Sequence, residues 1–337
     1  MHLLLCKRFI YLEELNLSTV SELFSVLDQS SILIKKLRGM DYLEALCETA
    51  ENIYNDVIKE NEIRDKLEPL YANFFREGLT AEDIRRAFQL AALKGMKKSP
   101  HPNHEITPDS IVLLLGHIAS LLTGDDPVSI LDPAVGTGNL LTGIMNQVKN
   151  NQVTACGADT DDLLIKLAYA NSNLQQKEVH LFHQDGLKPL FVEPCDLVVC
   201  DVPVGIYPDE RTAKAYELSD VGEKAYTHFL FIEQGLKSLK NSGYLLYLIP
   251  NRLFAEDRDH HFHQFIQDKA VILALLQLPL SLFKNRAAAK SVFLLQKKGE
   301  GVKMPKQALL AEMPQFSDEQ ELRRFMLSLD DWFKHRL

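Results

Sequence analysis

LDPAVGTGNLL, residues 131–141, joins an apolar run to a segment of helical character through two glycines one residue apart. Gly136 and Gly138 let the backbone turn tightly and come close to a ligand, and a helix starting near Asn139 would point free N–H groups into the same crevice. In open α/β sheets, ligands sit outside the carboxyl ends of the strands, where a loop after a first strand lies. A lone GxG fits a tight structural turn at least as well, so its surroundings decide the reading.

Apolar, β-rich runs recur around the loop: VSIL (128–131), VTACGAD (153–159), EVHLFHQD (178–185), DLVVCD (196–201), GYLLYLIP (243–250) and AVILALLQLP (270–279). Helix-like segments of about 10 to 20 residues separate most of them, the pattern of βα units building a doubly wound, mostly parallel sheet buried on both faces. Ala270–Pro279 and Ser291–Lys298 are joined only by a short polar loop, which predicts a hairpin and an antiparallel last strand.

The region before this α/β unit has a different character. Residues 17–96 carry apolar positions at helical spacing, and LTAEDIRRAFQLAALKGM places Thr80 as an N-cap with Asp83 three residues on and Gly95 near the end. An all-helical N-terminal domain is expected over 1–96. KKSPHPNHEITP, residues 97–108, breaks the period with Pro and His and reads as a linker. The α/β domain follows over 109–300, with a helical extension over 301–337.

The bulk composition narrows the function classes. The 337 residues are 46% hydrophobic and 25% charged, ordinary for a soluble globular protein, and no apolar run approaches the roughly 20 residues of a membrane span. The opening MHLLLCKRFIYLEELN has no basic segment before its apolar run and no small-residue cleavage site, so no secretory signal is expected. Cys6, Cys47, Cys156, Cys195 and Cys200 are scattered without CxxC spacing, which suits reduced thiols in a cytoplasm and disfavours structural zinc. A net charge of −9 argues against coating nucleic acid nonspecifically, though not against a local basic groove. The clusters Arg85/Arg86, Lys97/Lys98, Lys284/Arg286/Lys290 and Lys297/Lys298 are expected on solvated surface. His260, His261 and His263 lack companion carboxylates or thiols, and no metal site is expected; His101 and His104 fall in the linker.

Three successive strands end in carboxylates: Asp132, Asp159 and Asp185. Asp159 lies 21 residues after Gly138, the distance at which an acidic residue reaches ribose hydroxyls in nucleoside-binding βαβ units. Each alone could equally cap a helix, but the set together with the glycine loop points to a nucleoside ligand. NAD is disfavoured, because Asn139 follows GTG, the third glycine of GxGxxG is missing, and Asp132 would face a pyrophosphate. A carboxylate there suits a cationic, amine-bearing ligand such as S-adenosylmethionine, with its sulfonium and α-amino groups.

DPAVGTGNLL resembles the DPACGTGNFL motif of class I S-adenosylmethionine-dependent methyltransferases, specifically the adenine-N6 DNA methyltransferases related to type I modification subunits. ITPDSIV (106–112) resembles the TP segment that closes over the cofactor, and DLVVCDVP occupies the place of the (D/N)PP(Y/F) catalytic motif. NSGYLLYLIPNRLF and LQLPLSLFKN with KSVFLLQKK resemble the later motifs. The likeness spans roughly residues 100–300 and is strongest to a YtxK-like bacterial group in which the catalytic motif is also altered. It implies a Rossmann-like, seven-stranded methyltransferase sheet with an antiparallel last strand. It also implies that Thr107, Asp132, Ala134, Gly136, Gly138 and Asn139 hold the methionine half of the cofactor, Asp159 the ribose and Asp185 the adenine amino group. Ile106, Pro133, Thr137, Leu140, Thr160, Gly186 and Asp201 complete the expected cofactor site.

In that family the Asp or Asn and the following carbonyl accept hydrogen bonds from the target amino group, orienting its lone pair, and the aromatic stacks on a base rotated out of its helix. Here Asp201 and Pro203 are kept, Val202 replaces a proline and Val204 replaces the aromatic. Loss of a stacking platform worth about 1–3 kcal/mol would slow transfer by roughly one to two orders of magnitude. Tyr207 is a candidate substitute ring; alternatively it simply packs on the loop. No segment of target-recognition size follows the motif, so DNA specificity would need the N-terminal helices or a separate subunit. The resemblance thus implies an adenine-N6 DNA methyltransferase. The alternatives are a catalytically weakened or inactive cofactor-binding regulator, or a methyltransferase acting on RNA or a protein glutamine.

Overall fold

The computed structural model describes residues 17–72, 74–75, 78–98, 104–149, 152–221, 224–257 and 259–336. The leader reading, Cys6, and residues 99–103 of the expected linker with His101 lie outside these.

The helical region contains α1 (Leu17–Arg38), α2 (Tyr42–Asn55), α3 (Arg64–Tyr71) and α4 (Ala81–Lys98). Asp41 and Glu44 form a capping box at the start of α2. Thr80 does the same for α4: Asp83 N–H donates to Thr80 Oγ1, and Thr80 N–H donates to Asp83 Oδ2, each at 3.1 Å. The apolar faces of α1, α2 and α4 close around Leu27, Leu43, Leu46, Phe88 and Ala91, and Leu164, Leu167 and Leu174 from the sheet domain join the same cluster. The helical region is therefore docked on the sheet domain through shared apolar packing.

The sheet domain runs α5 (Asp109–Thr123), β1 (Val128–Asp132), α6 (Asn139–Met145), β2 (Val153–Asp159), α7 (Asp162–Leu174), β3 (Val179–His183), β4 (Cys195–Asp201), α8 (Glu210–Ala213), α9 (Thr227–Ser238), β5 (Leu239–Pro250), α10 (Leu253–Glu256), α11 (His261–Lys269), β6 (Ala270–Gln277), β7 (Lys290–Lys297), β8 (Leu309–Glu312) and α12 (Glu319–His335). The strands lie in the order β3-β2-β1-β4-β5-β7-β6-β8. β7 runs antiparallel to β5 and β6, as the hairpin reading expects, and the remaining pairings are parallel. Leu197, Val198, Val199 and Cys200 are all fully buried, which is why β4 reads as an unbroken apolar run rather than an alternating one.

Two expectations are corrected. The sheet has eight strands among the described residues, not seven, and its last strand, β8, is parallel to β6. The segment 301–337 is not purely helical: it supplies β8, and Met326 and Leu329 of α12 enter the core beside α5. Among the described residues, no helix is long and apolar enough to cross a membrane.

Candidate active site

Strand order reverses between β1 and β4, so the loops leaving these two strands open a crevice at the carboxyl edge of the sheet. Gly136 and Gly138 adopt φ of 54° and 73°, conformations that an L side chain rarely takes. A Cβ on Gly136 would meet nothing within 4 Å, whereas one on Gly138 would lie 3.3 Å from Ala168 Cβ. The first glycine faces open space and the second is a packing contact with α7. Gly186 is also a packing glycine, since a Cβ there would fall 2.0 Å from the Pro133 carbonyl oxygen.

The three strand-end carboxylates converge on this crevice. Asp132 is 1% exposed, and its Oδ1 accepts the Ala134 N–H at 3.1 Å. Burial, with the charges of Asp159 and Asp201 adding to it, raises its pKa from 3.8 to about 8. Asp159 accepts the Gly136 N–H on Oδ2 at 2.9 Å and the Asp161 N–H on Oδ1 at 3.0 Å, yet burial still moves its pKa upward. Asp185 accepts the Leu187 N–H at 2.9 Å and the Tyr207 hydroxyl at 2.5 Å. Thr160 is exposed and its carbonyl accepts His183 Nε2 at 3.0 Å, while the Thr137 carbonyl accepts Asn171 Nδ2 at 3.1 Å. Pro133 and Leu140 are buried, and Ala134 and Ile106 half-buried.

The segment before α5 ties the crevice to β4. Thr107 Oγ1 donates to Asp201 Oδ2 at 3.0 Å, and the Thr107 carbonyl accepts Asn139 Nδ2 at 3.1 Å. Asn139 Oδ1 accepts Arg85 Nη1 at 2.7 Å. Arg85 is fully buried and ion-paired with Glu82 and Asp109. Burial works against its charge, but the two carboxylates outweigh that and hold the guanidinium protonated.

At the end of β4, Lys290 donates to Asp201 Oδ1. Val202 is buried and its N–H donates to Leu248 O at 3.2 Å. Pro203 and Val204 are exposed, Val204 at 44%. Tyr207 is only 8% exposed, held by its N–H to Ala225 O at 2.8 Å and by its hydroxyl to Asp185. Burial and the neighbouring carboxylate push its phenol pKa up, so it remains a donor. The reading of Tyr207 as a substitute stacking ring is thereby corrected: its ring packs under the loop.

Lys284 and Arg286 are exposed, but Arg85 and Lys290 depart from the expectation of solvated surface. They lie 54 and 89 residues from the site partners they bond, and their flanking sequence carries no signal beyond the Glu82/Arg85 spacing on one helix. His260 and His263 rings lie 6.4 Å apart, and among the described residues no group of three or more potential ligands is placed to hold a metal.

The donor set suits an adenosyl ligand bearing positive charge. Buried carboxylates crowd beside a glycine loop that leaves open space, and a cation entering there would favour the ionised form of Asp132, which burial and, in smaller part, its neighbours' charges now disfavour.

Residues 104–331 match the N-6 DNA methylase family, and residues 21–96 match the YtxK N-terminal helical domain. The Bacillus subtilis (strain 168) protein YtxK, itself uncharacterised, is 43% identical over 321 residues, covering 94% of this chain and 98% of that protein. A solved structure from Listeria monocytogenes, assigned to the class I S-adenosylmethionine-dependent methyltransferases, superposes with a TM-score of 0.85 at 39% identity, covering 94% of this chain and 99% of that one. The methyltransferase subunit of a type I restriction-modification system from Streptococcus thermophilus shares the fold, with a TM-score of 0.62 at 18% identity over 95% of this chain and 74% of that one.

Proposed function

The chain belongs to the N-6 DNA methylase family of S-adenosylmethionine-dependent methyltransferases, and on that premise we propose that it transfers a methyl group to the N6 amino group of adenine in DNA. S-adenosylmethionine is its cofactor. When bound, it supplies an electrophilic methyl on its sulfonium. Thr107, Asp132, Ala134, Gly136, Gly138 and Asn139 hold its methionine half, walled by Ile106, Pro133, Thr137 and Leu140. Asp159 and Thr160 take the ribose, and Asp185 with Gly186 takes the adenine edge. The observation that carries the reading is Asp201: it ends β4 at the switch point, bonded to Thr107 and close enough to Asp132 to raise that residue's pKa. Asp201 and the Val202 carbonyl accept hydrogen bonds from the target amino group, aiming its lone pair at the methyl. Pro203 stiffens the loop, and Val204 fills the place of the base-stacking ring without its π face.

The segment joining β4 to α9 carries, among the described residues, only the short α8 and a single 3₁₀ turn. DNA sequence is therefore read by the N-terminal helices or by a separate specificity subunit. Tritium transfer from labelled cofactor to DNA, lost in Asp201→Ala, is the test; no transfer to DNA of any sequence sinks the proposal.

A second reading, a cofactor-binding regulatory protein with little or no turnover, is favoured by one specific observation: Asp201 is already engaged by Lys290. Calorimetric cofactor binding beside inert turnover on DNA, RNA and protein selects this reading, and robust turnover rejects it.

A further inference from the structure

Asp132, Asp159 and Asp201 form one electrostatic cluster: burial is the main reason Asp132 keeps its proton, and the charges of the other two add to it. Among the described residues, Lys290 is the lysine or arginine bonded to this cluster. Strand register fixes its place. Asp201 pairs with Leu248 of β5, and Pro250 of β5 pairs with Lys290, so Lys290 and Asp201 lie at the same end of the sheet, separated by one strand. Their side chains are 25% and 17% exposed for Asp201 and Lys290, and Thr107 holds the second Asp201 oxygen at 3.0 Å. Solvent and salt screen such a pair only partly.

S-adenosylmethionine and its demethylated product differ by one positive charge at sulfur. If Asp201 orients the target amine toward the methyl, as proposed above, the sulfonium lies within reach of the charge on the carboxylate that Lys290 pairs. An unpaired Asp201 would attract the sulfonium. Paired with Lys290, it has much of that charge offset.

We propose that Lys290 is a specificity-determining residue that offsets the charge of Asp201 and shifts the site's preference from the sulfonium-bearing donor toward the uncharged thioether, S-adenosylhomocysteine. The inference rests on the placement of the cofactor beside Asp201 and not on DNA as acceptor, so its test contains no acceptor.

Isothermal titration of the full chain with each of the two compounds gives a ratio of dissociation constants. The unaltered protein binds the thioether at least as tightly as the sulfonium. Lys290→Met moves the ratio about tenfold toward the sulfonium, the size expected of one partly screened charge a few bond lengths away. Lys290→Arg keeps the original ratio. Asp201→Asn, which strands the ammonium, moves it about as far the other way, and Lys290→Met/Asp201→Asn returns it close to the starting value. A ratio unchanged within about twofold in folded Lys290→Met overturns the inference; if that variant does not fold, the direction of the isosteric Asp201→Asn change decides. Failure of both compounds to bind the unaltered protein overturns the cofactor placement itself, a result distinct from an unchanged ratio.

Discussion

Arg85 Nη1 donates to Asn139 Oδ1 at 2.7 Å, joining a helix of the N-terminal region to the start of α6 beside the glycine loop. Through Asn139 Nδ2 to the Thr107 carbonyl, and Thr107 Oγ1 to Asp201, the bonds run on to the end of β4. Arg85→Met breaks a buried ion pair and leaves the Asn139 oxygen without its donor. A loss of about 3–5 kcal/mol in unfolding free energy is expected, with cofactor affinity weakened by at least about tenfold. Denaturant melts and calorimetry on the same variant check both; an unweakened cofactor affinity in folded Arg85→Met would confine Arg85 to a structural role.

Asp132 makes stability depend on pH. The folded protein holds this proton up to about pH 8 and the unfolded chain releases it near 3.8. Its contribution to stability is therefore full below the unfolded value and is withdrawn as pH rises to about 8. Asp161 and Asp196, whose pKa values are lowered, act in the opposite direction, so the informative quantity is a difference. Asp132→Asn should be more stable than the unaltered protein at pH 8, and the gap should close toward pH 4. Equal melting curves for the two at pH 8 contradict the assignment.

The same group ties cofactor binding to proton release. A cationic ligand favours the ionised carboxylate, so binding at pH 7 should expel a proton and affinity should rise between pH 6 and pH 8. Titrations in buffers of differing ionisation enthalpy measure the proton count, and Asp132→Asn should abolish it.

Val204 is 44% exposed, so a ring can be placed there without entering the core. Under the DNA reading, Val204→Phe restores about 1–3 kcal/mol of base stacking and raises affinity for an oligonucleotide with a destabilised target adenine about tenfold. Val202→Pro, the other reversion toward the family motif, removes the N–H bonded to Leu248 O and is expected to cost roughly 1–3 kcal/mol. Fluorescence from 2-aminopurine at the target position and thermal melts read the two effects.

His117 of α5 and Asp330 of α12 approach to 2.7 Å with side chains 9% and 12% exposed. Asp330→Ala strips the buried imidazole of its hydrogen-bond partner, at a cost of about 1–3 kcal/mol. Limited proteolysis should then cut between β8 and α12 faster than in the unaltered protein.

The parts of the fold legible in the sequence are those whose chemistry is local. The loop 131–141, the strand-end carboxylates and the run 196–201 each announce themselves within a dozen residues, because turn geometry and two-sided burial act at that range. β8 is only four residues long and lies at the sheet edge, where neither length nor alternation marks it. Arg85 and Lys290 look like surface charges until long-range packing brings their partners to them. Tyr207 was readable as belonging to the loop but not in its direction, since its hydroxyl is set by Asp185 in the loop that follows β3.

The clasp between His117 and Asp330 spans 213 residues of chain. During synthesis α5 leaves the ribosome long before α12, so this contact closes after nearly all the described structure has been made, and contacts of such separation form late. α5 is the helix whose first turn carries Asp109, the partner of Arg85, two residues after Thr107. A ribosome-bound chain lacking α12 should therefore expose the end of α5 opposite the crevice, and maturation of the crevice becomes a matter of timing as well as of sequence.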